Sequence, residues 1–344
     1  MRDRQRKYSR LLAATVLLAG ASGALASDPG SFDRTLAVTG PVFLDVKSDP
    51  GGAVITTGPE ATVRVHAIIK PLFGRLDLDL AEANIRALEK DPPIEQSGNR
   101  IRIGYVKDPS LLRGVTIRFE IETPQASEVR AATTSGGIRI DGIAGPANTM
   151  TNSGRTEISN VGASINVGVG SGAVIIRNAG NSVVVRSQSG GIQLTGIRGS
   201  AELQTSSGRH EISDVGGPLR ATTNSGSIRI EDARAGVIAR NSSGSITALR
   251  IGGSVHAETG SGEIRIEQVK PAPIRAVARS GAIHVKLASG GGYLLEALSH
   301  SGKISAPAEV AAQLARDGHS LKAQLGQGGP LVDLDTQSSR IAIR

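Results

Sequence analysis

The chain has no cysteine and no tryptophan, and only four phenylalanines and three tyrosines among 344 residues. Without cysteine there are no disulfide staples, so packing and hydrogen bonding must hold the fold in any compartment. Without large aromatic side chains a wide globular core is hard to fill, and small and aliphatic residues suit a thin, layered one. Residues 122–292 contain no aromatic at all. That stretch therefore lacks the stacking platforms used for single-stranded nucleic acids. After the first apolar run, nothing is long and apolar enough to cross a membrane as a helix.

What the chain does have is glycine, 44 residues of it, and a distinctive start. A basic "MRDRQRKYSR" precedes "LLAATVLLAGASGALA", and Ala24-Leu25-Ala26 offers a small-x-small cleavage site before Ser27. This is the pattern of a secretory signal peptide over residues 1–26. The expected location of the mature chain is therefore the periplasm, the cell surface or the medium. Residues 1–26 carry a net charge of +4 out of +8, so the remainder is only mildly basic. The high pI thus gives no support to nucleic-acid binding.

The dominant feature is an internal repeat. Ser-Gly recurs at Ser135, Ser153, Ser171, Ser189, Ser207, Ser225, Ser243 and Ser261, each 18 residues after the last. Ser280 and Ser301 follow after 19 and 21, and Ser338-Ser339 in "TQSSRIAI" is a degenerate last copy. Counting from the Ser, apolar residues fall three and five later, as in Ile138 and Ile140 or Ile228 and Ile230. Others fall eight later, from Ile143 to Val269, and six earlier, from Val129 to Val255. Small or aliphatic residues stand four earlier. A spacing of two means strand, so each repeat has one strand before the Ser-Gly and one after it. Glycine density and period-two patterning exclude helix across this region.

Repeats in constant register stack, one coil on the next at about 4.8 Å. The expected fold is all-β: a β-solenoid, that is, a single-stranded, right-handed β-helix of 18-residue coils. Eleven coils would make a rod of roughly 50 Å. The Ser-Gly marks the turn between two sides of a coil, with Gly in a positive-φ conformation that other residues resist. Thr133, Thr151, Thr205, Thr223 and Thr259, two before the Ser, are expected to stack and to satisfy polar groups at that turn.

Residues 27–124 are less regular. "VFLDV", "AVITT", "VRVHAII", "IRIGYV" and "VTIRFEIE" read as strands, and Leu80 to Lys90 as a short helix with Ala81, Ile85 and Leu88 on one face, stopped by Asp91-Pro92-Pro93. "LDVKSDPGGAVI" and "IEQSGNRIRI" echo the repeat, so this region is expected to form a β-rich cap. The solenoid proper is expected over 125–344, with an excursion near 306–329 that includes a possible short helix at 307–315.

The signal peptide, "IEQSGNRIRI", the Pro-ended "FEIETP", the serial "T-x-S-G-x-I-x-I" copies and the final "LVDLDTQSSRIAI" together resemble the bacterial putative-adhesin family of β-strand-repeat proteins, a family of unknown function. The resemblance implies a solenoid over roughly residues 33–344 and an adhesin-like role; it carries no catalytic residues.

The residues themselves assign no catalytic, cofactor-binding or metal-ligating group. A β-helix lyase or hydrolase needs clustered carboxylates or a Ca²⁺ site. Here Asp141, Glu157, Glu211, Glu231, Asp232 and Glu263 are scattered. The 18-residue rule sets Glu211 beside Arg229 and Arg139 beside Glu157, which reads as cross-coil ion pairing. Asp77 and Asp79 fit a polar helix start. His210 stands at an apolar position between Ile192 and Ile228, as a ladder defect or a partner of a corner hydroxyl, while His256, His284 and His300 form no ligand set. No G-x-S-x-G elbow or phosphate loop is present.

The expected function is non-enzymatic: an exported, adhesin-like solenoid that binds or scaffolds at the cell envelope through its repetitive outer faces, toward a glycan or protein ligand. The alternatives are a self-assembling periplasmic structural protein and, further off, a carbohydrate-active β-helix enzyme.

Overall fold

The computed structural model describes residues 29–72 and 78–344. The signal-peptide reading and Asp77 lie outside the described residues. The fold is the expected β-solenoid, built as two facing sheets of fifteen strands each. Every regular coil places one strand in each sheet. In the repeat Val183–Ser189 and Ile192–Ile197, the first strand lies in what is called here sheet II and the second in sheet I. Neighbouring coils pair in parallel at constant register, Val183 against Ile165 and Ala201, Ser189 against Ser171 and Ser207.

The apolar grammar is the core. Positions six and four before the Ser and three, five and eight after it point inward. Val183, Val185, Ile192, Leu194 and Ile197 are all at most 2% exposed. Each such side chain contributes about 1.5–3 kcal/mol on burial, and ladders of them run the length of the rod.

Two corners close each coil, and each has its own backbone device. At the Ser-Gly corner the glycines have φ between +129° and +152° from Gly136 to Gly281. Their N–H groups donate along the rod axis to the Ser carbonyl of the next coil, as Gly154 to Ser171 at 3.0 Å and Gly172 to Ser189 at 3.0 Å. A Cβ on Gly172 would run into the carbonyl oxygen of Gly154. Glycine is therefore required twice, by dihedral and by the close approach of stacked backbones. Two of the threonines two before the Ser donate to glycine carbonyls, Thr133 to Gly51 O at 2.9 Å and Thr259 to Gly244 O at 3.0 Å, while Thr205 donates to Thr223 Oγ1 of the next coil.

The second corner uses a residue seven after the Ser. Asn160, Asn178, Asp214, Asp232 and Arg250 have φ between +52° and +57°, and Gly142 and Gly196 occupy the same column. One left-handed residue breaks the strict alternation. This is why the inward positions run three, five, eight rather than three, five, seven. Asn, Asp and Gly tolerate this conformation best. The column ends after Arg250. In the next coil Gln268, not Val269, pairs with Ile251, and the register shifts. Gln268 points inward and donates to Gly253 O and Ala272 O, while Val269 is 51% exposed. The expected inward place of Val269 is thus overturned, because this coil omits the left-handed residue.

The stack is longer than eleven coils. Val42–Ser48 and Gly51–Thr57 form a coil directly on Ser127–Ser135 and Ile138–Asp141. Beyond it lie Arg100–Ile103 in sheet II and Val115–Thr123 in sheet I. Fifteen strands at about 4.8 Å give a rod of about 70 Å. The helix runs Leu78–Lys90 and buries Ala81, Ile85 and Leu88 as expected, and also Asn84, whose amide donates to Ser110 O and Arg113 O.

At the far end the order of coils departs from the order of the chain. Leu331–Thr336 and Ile341–Ile343 lie between the Ile274–Ser280 coil and the coil of Tyr293–Ser299 and Ile304–Ser305. The Ser301 repeat therefore does not stack on the Ser280 repeat. The excursion supplies a 3-10 turn, Ala311–Gln313, and an antiparallel strand, Ser320–Leu325, that covers Tyr293–Ser299.

Antiparallel strands and short segments close both ends of the rod. Gly30–Ala37 pairs antiparallel outside Thr62–Pro71, and the free Ser31 N–H donates to Glu89 Oε1 of the helix at 2.8 Å. At the other end the sheet I edge is only two residues long, and Ile304 N–H donates to Gly318 O. The two-residue edge at Ile304–Ser305 is too short to template strand addition.

Candidate functional site

Alternation that sends positions six, four and two before the Ser inward must send five, three and one outward. On sheet II the outward columns at three and one before the Ser line a groove of about 720 Å³ that runs from Lys47 and Asp49 to Thr222 and Asn224. A second stretch of about 510 Å³ continues from Thr222 and Asn224 past Arg240 and Glu258. The floor is low at Gly168 and Gly170, which have no side chain, and Met150 stands beside them 69% exposed. Asn152, Gln188, Gln204, Ser206, Thr222 and Asn224 bring amides and hydroxyls to the groove. Each of these groups can both donate and accept.

At the N-terminal end of the same face, the two outward columns alongside carry Arg100, Phe43 and Glu128, and Arg102, Asp45 and Arg130. Phe43 faces outward from Val42–Ser48, paired with Arg100 on one side in register. The Arg100 guanidinium lies 4.4 Å from the Phe43 ring centroid and that of Arg130 5.5 Å from it. Both are within cation–π range. Arg102 stacks on Tyr105 at 3.9 Å and pairs with Glu95 at 2.7 Å. Tyr105 donates to Asp45 Oδ1 at 2.9 Å, and burial followed by this contact raises its pKa. Arg100 and Arg130 meet no carboxylate within ion-pair distance among the described residues.

Sheet I presents a different surface. Glu211 and Arg229 are register partners, as are Arg139 and Glu157. The ion pairs themselves form within a coil, Arg155 with Glu157 at 2.9 Å, Arg209 with Glu211 at 3.5 Å, and Arg229 with Glu231. A two-residue step on one side of a strand spans about 6.6 Å, still within reach of a long arginine side chain. Ion pairs between coils do form elsewhere, as Arg240 with Glu258 at 3.2 Å and Lys286 with Glu267 at 2.9 Å. Exposed pairs of this kind are worth about 0–1 kcal/mol.

The other carboxylates singled out in the sequence are similarly engaged. Asp141 accepts from Ser159 and Asn160, and Glu263 pairs with Arg265 at 2.8 Å. Glu231 and Asp232 share the Arg250 guanidinium, whose hydrogen bonds hold both carboxyls below the usual range. Among the described residues, no three His, Asp or Glu side chains converge.

His210 is fully buried, and its Nε2 lies 2.9 Å from Thr205 Oγ1, which donates in turn to Thr223 Oγ1 at 2.9 Å. It is the partner of a corner hydroxyl. Burial lowers its pKa to about 4, so it is neutral at pH 7. His256, His284 and His300 lie apart: near Glu258, near Glu263 and near Asp335 respectively.

Two features escape the sequence reading. The Arg–Phe cluster is written as alternation, "VFLDVK" and "RIRIGY", but only the stacking of distant segments brings Phe43 to Arg100. The left-handed column is written as Gly142, Asn160, Asn178, Gly196, Asp214 and Asp232 at 18-residue spacing, a signal that was there to read.

No helix among the described residues is long and apolar enough to cross a membrane. No curated protein matches the chain. Over 92% of this chain and 99% of the other, it is similar to a "putative cell adhesion protein" from Clostridium sporogenes ATCC 15579, with 11% identity and a TM-score of 0.30. Residues 181–344 match the family model described as Toastrack DUF4097, a domain of unknown function with a β-solenoid-like fold, in keeping with the resemblance carried by the repeats.

Proposed function

We propose that this is an exported, non-enzymatic, adhesin-like solenoid that binds a polymer of the bacterial cell envelope along the outer face of sheet II. One observation carries the reading: the groove that extends along successive coils and brings amides and hydroxyls from coil after coil. Repetition at about 4.8 Å suits a repetitive ligand, since weak contacts to one chain reinforce each other. The carboxylates that could serve chemistry are instead held by arginines and amides. The N-terminal sequence supports export.

The test is protease treatment of intact cells, with lysed cells as control. Cleavage in intact cells is expected for a surface protein, and cleavage only after the outer envelope is breached for a periplasmic one. Retention of the uncleaved precursor in the cytoplasm would contradict the reading.

A further inference from the structure

Two chemistries lie side by side on sheet II, and together they specify a ligand more narrowly than either alone. The groove offers neutral groups that donate and accept, Asn152, Gln188, Gln204 and Thr222 among them. Such groups match sugar hydroxyls, which also donate and accept. Beside the groove's N-terminal end stand Arg100 and Arg130, each within 5.5 Å of the Phe43 ring centroid. The in-register partner of Arg130 on the neighbouring strand is Asp45, which accepts from the Tyr105 hydroxyl at 2.9 Å, and that of Phe43 is Glu128. Asp45 and Glu128 stay charged alongside, but neither guanidinium forms an ion pair among the described residues, and both keep N–H donors for an outside group. A ring face holds a guanidinium by its plane and leaves its in-plane donors free. Planar, pre-oriented forks are suited to bidentate capture of carboxylate.

We infer that the ligand of the sheet II face is an acidic polysaccharide, its hydroxyls lying along the groove and a carboxylate held by Arg100 and Arg130. The inference rests on the binding role proposed above and adds the chemical class. Phe43 is a positioning residue that orients both guanidiniums. Lys47 and Asp49 stand together at the mouth of the groove and offset each other in charge.

The experiment measures binding of the purified protein to three probes of similar length: polygalacturonate, neutral dextran and inorganic polyphosphate. Polygalacturonate is expected to bind most tightly, and rising salt is expected to weaken it. R100A and R130A should each weaken polygalacturonate binding about tenfold or more and leave dextran unchanged. R100K and R130K, which keep the charge and lose the fork, should recover only part of the loss. F43L should weaken polygalacturonate with both arginines still present. Thermal melts check that each variant is folded, which is expected since all three side chains lie on the outer face.

Equal binding of dextran and polygalacturonate would overturn the acidic class. Equal binding of polyphosphate, insensitive to filling the groove with G168Y, would reduce the site to nonspecific anion attraction and overturn it as well. Failure of all three probes alongside continued binding to isolated envelopes would overturn the inference and leave the binding role standing. Failure of both would remove the binding role itself.

Discussion

The imidazole of His210 and the hydroxyl of Thr205 lie 2.9 Å apart inside the Ser-Gly corner, with His210 Nδ1 buried and unpartnered. Its pKa falls from 6.5 to about 4 because the charged form is desolvated. A depressed histidine binds its proton more readily in the unfolded chain. Its contribution is full above pH 6.5, is lost as pH falls toward 4, and is of the order of 3 kcal/mol. H210I, flanked by Ile192 and Ile228 in register, should flatten this part of the stability profile. Denaturant unfolding at pH 7 and pH 4.5 should show a markedly smaller difference for H210I than for the parent chain.

The glycine column makes a sharper contrast. G172A sets a Cβ against the carbonyl of Gly154 at φ +146° and should cost about 3 kcal/mol or more. G168A lies on the groove floor, with no heavy atom nearer than 3.9 Å to the added carbon. It should be neutral or stabilise by up to about 1 kcal/mol. Thermal melts of the two variants, four residues apart, test whether glycine is required by place rather than by composition.

At the second corner, Asn178 Nδ2 donates to Asn160 Oδ1 at 2.9 Å, and Asn160 Nδ2 to Asp141 at 2.8 Å. N178A loses the bond and keeps the left-handed backbone, which should cost about 1–2 kcal/mol. N178G should cost less, because glycine removes the dihedral penalty. Chemical denaturation of both variants orders them.

The interposed terminal segment is a fourth test. Val332, Leu334, Ile341 and Ile343 are buried between two coils. Deleting residues 331–344 should unseat the Tyr293–Ser299 coil along with its own. Dye binding to exposed apolar surface should rise, and protease should cut between residues 287 and 330. L334A alone should cost about 2–5 kcal/mol.

Much of this architecture could be read from the chain, and the limits have physical causes. Constant 18-residue spacing implied constant register, so the ladders, the Gly corner and the stacked threonines followed locally. The fate of Val269 did not, because one omitted left-handed residue changes register without changing the apolar pattern. The swap of the last two coils was hidden because "TQSSRIAI" fits the grammar of any level in the stack. Nothing in its own residues says which neighbours it takes. Ion pairs were placed on the right neighbours but formed within coils, since long arginine side chains reach either way. The groove was implied by alternation, and its depth depended on two small residues, Gly168 and Gly170, meeting on the outer face.

The most direct test of the binding account is co-sedimentation of the purified protein with isolated cell envelopes, comparing G168Y with Q193Y. Gly168 opens onto the sheet II groove, and Gln193 is exposed on sheet I. Q193Y is expected to pellet like the parent chain and G168Y, folded by thermal melt, to stay in the supernatant. Equal pelleting of both variants would contradict this and move the binding surface off sheet II.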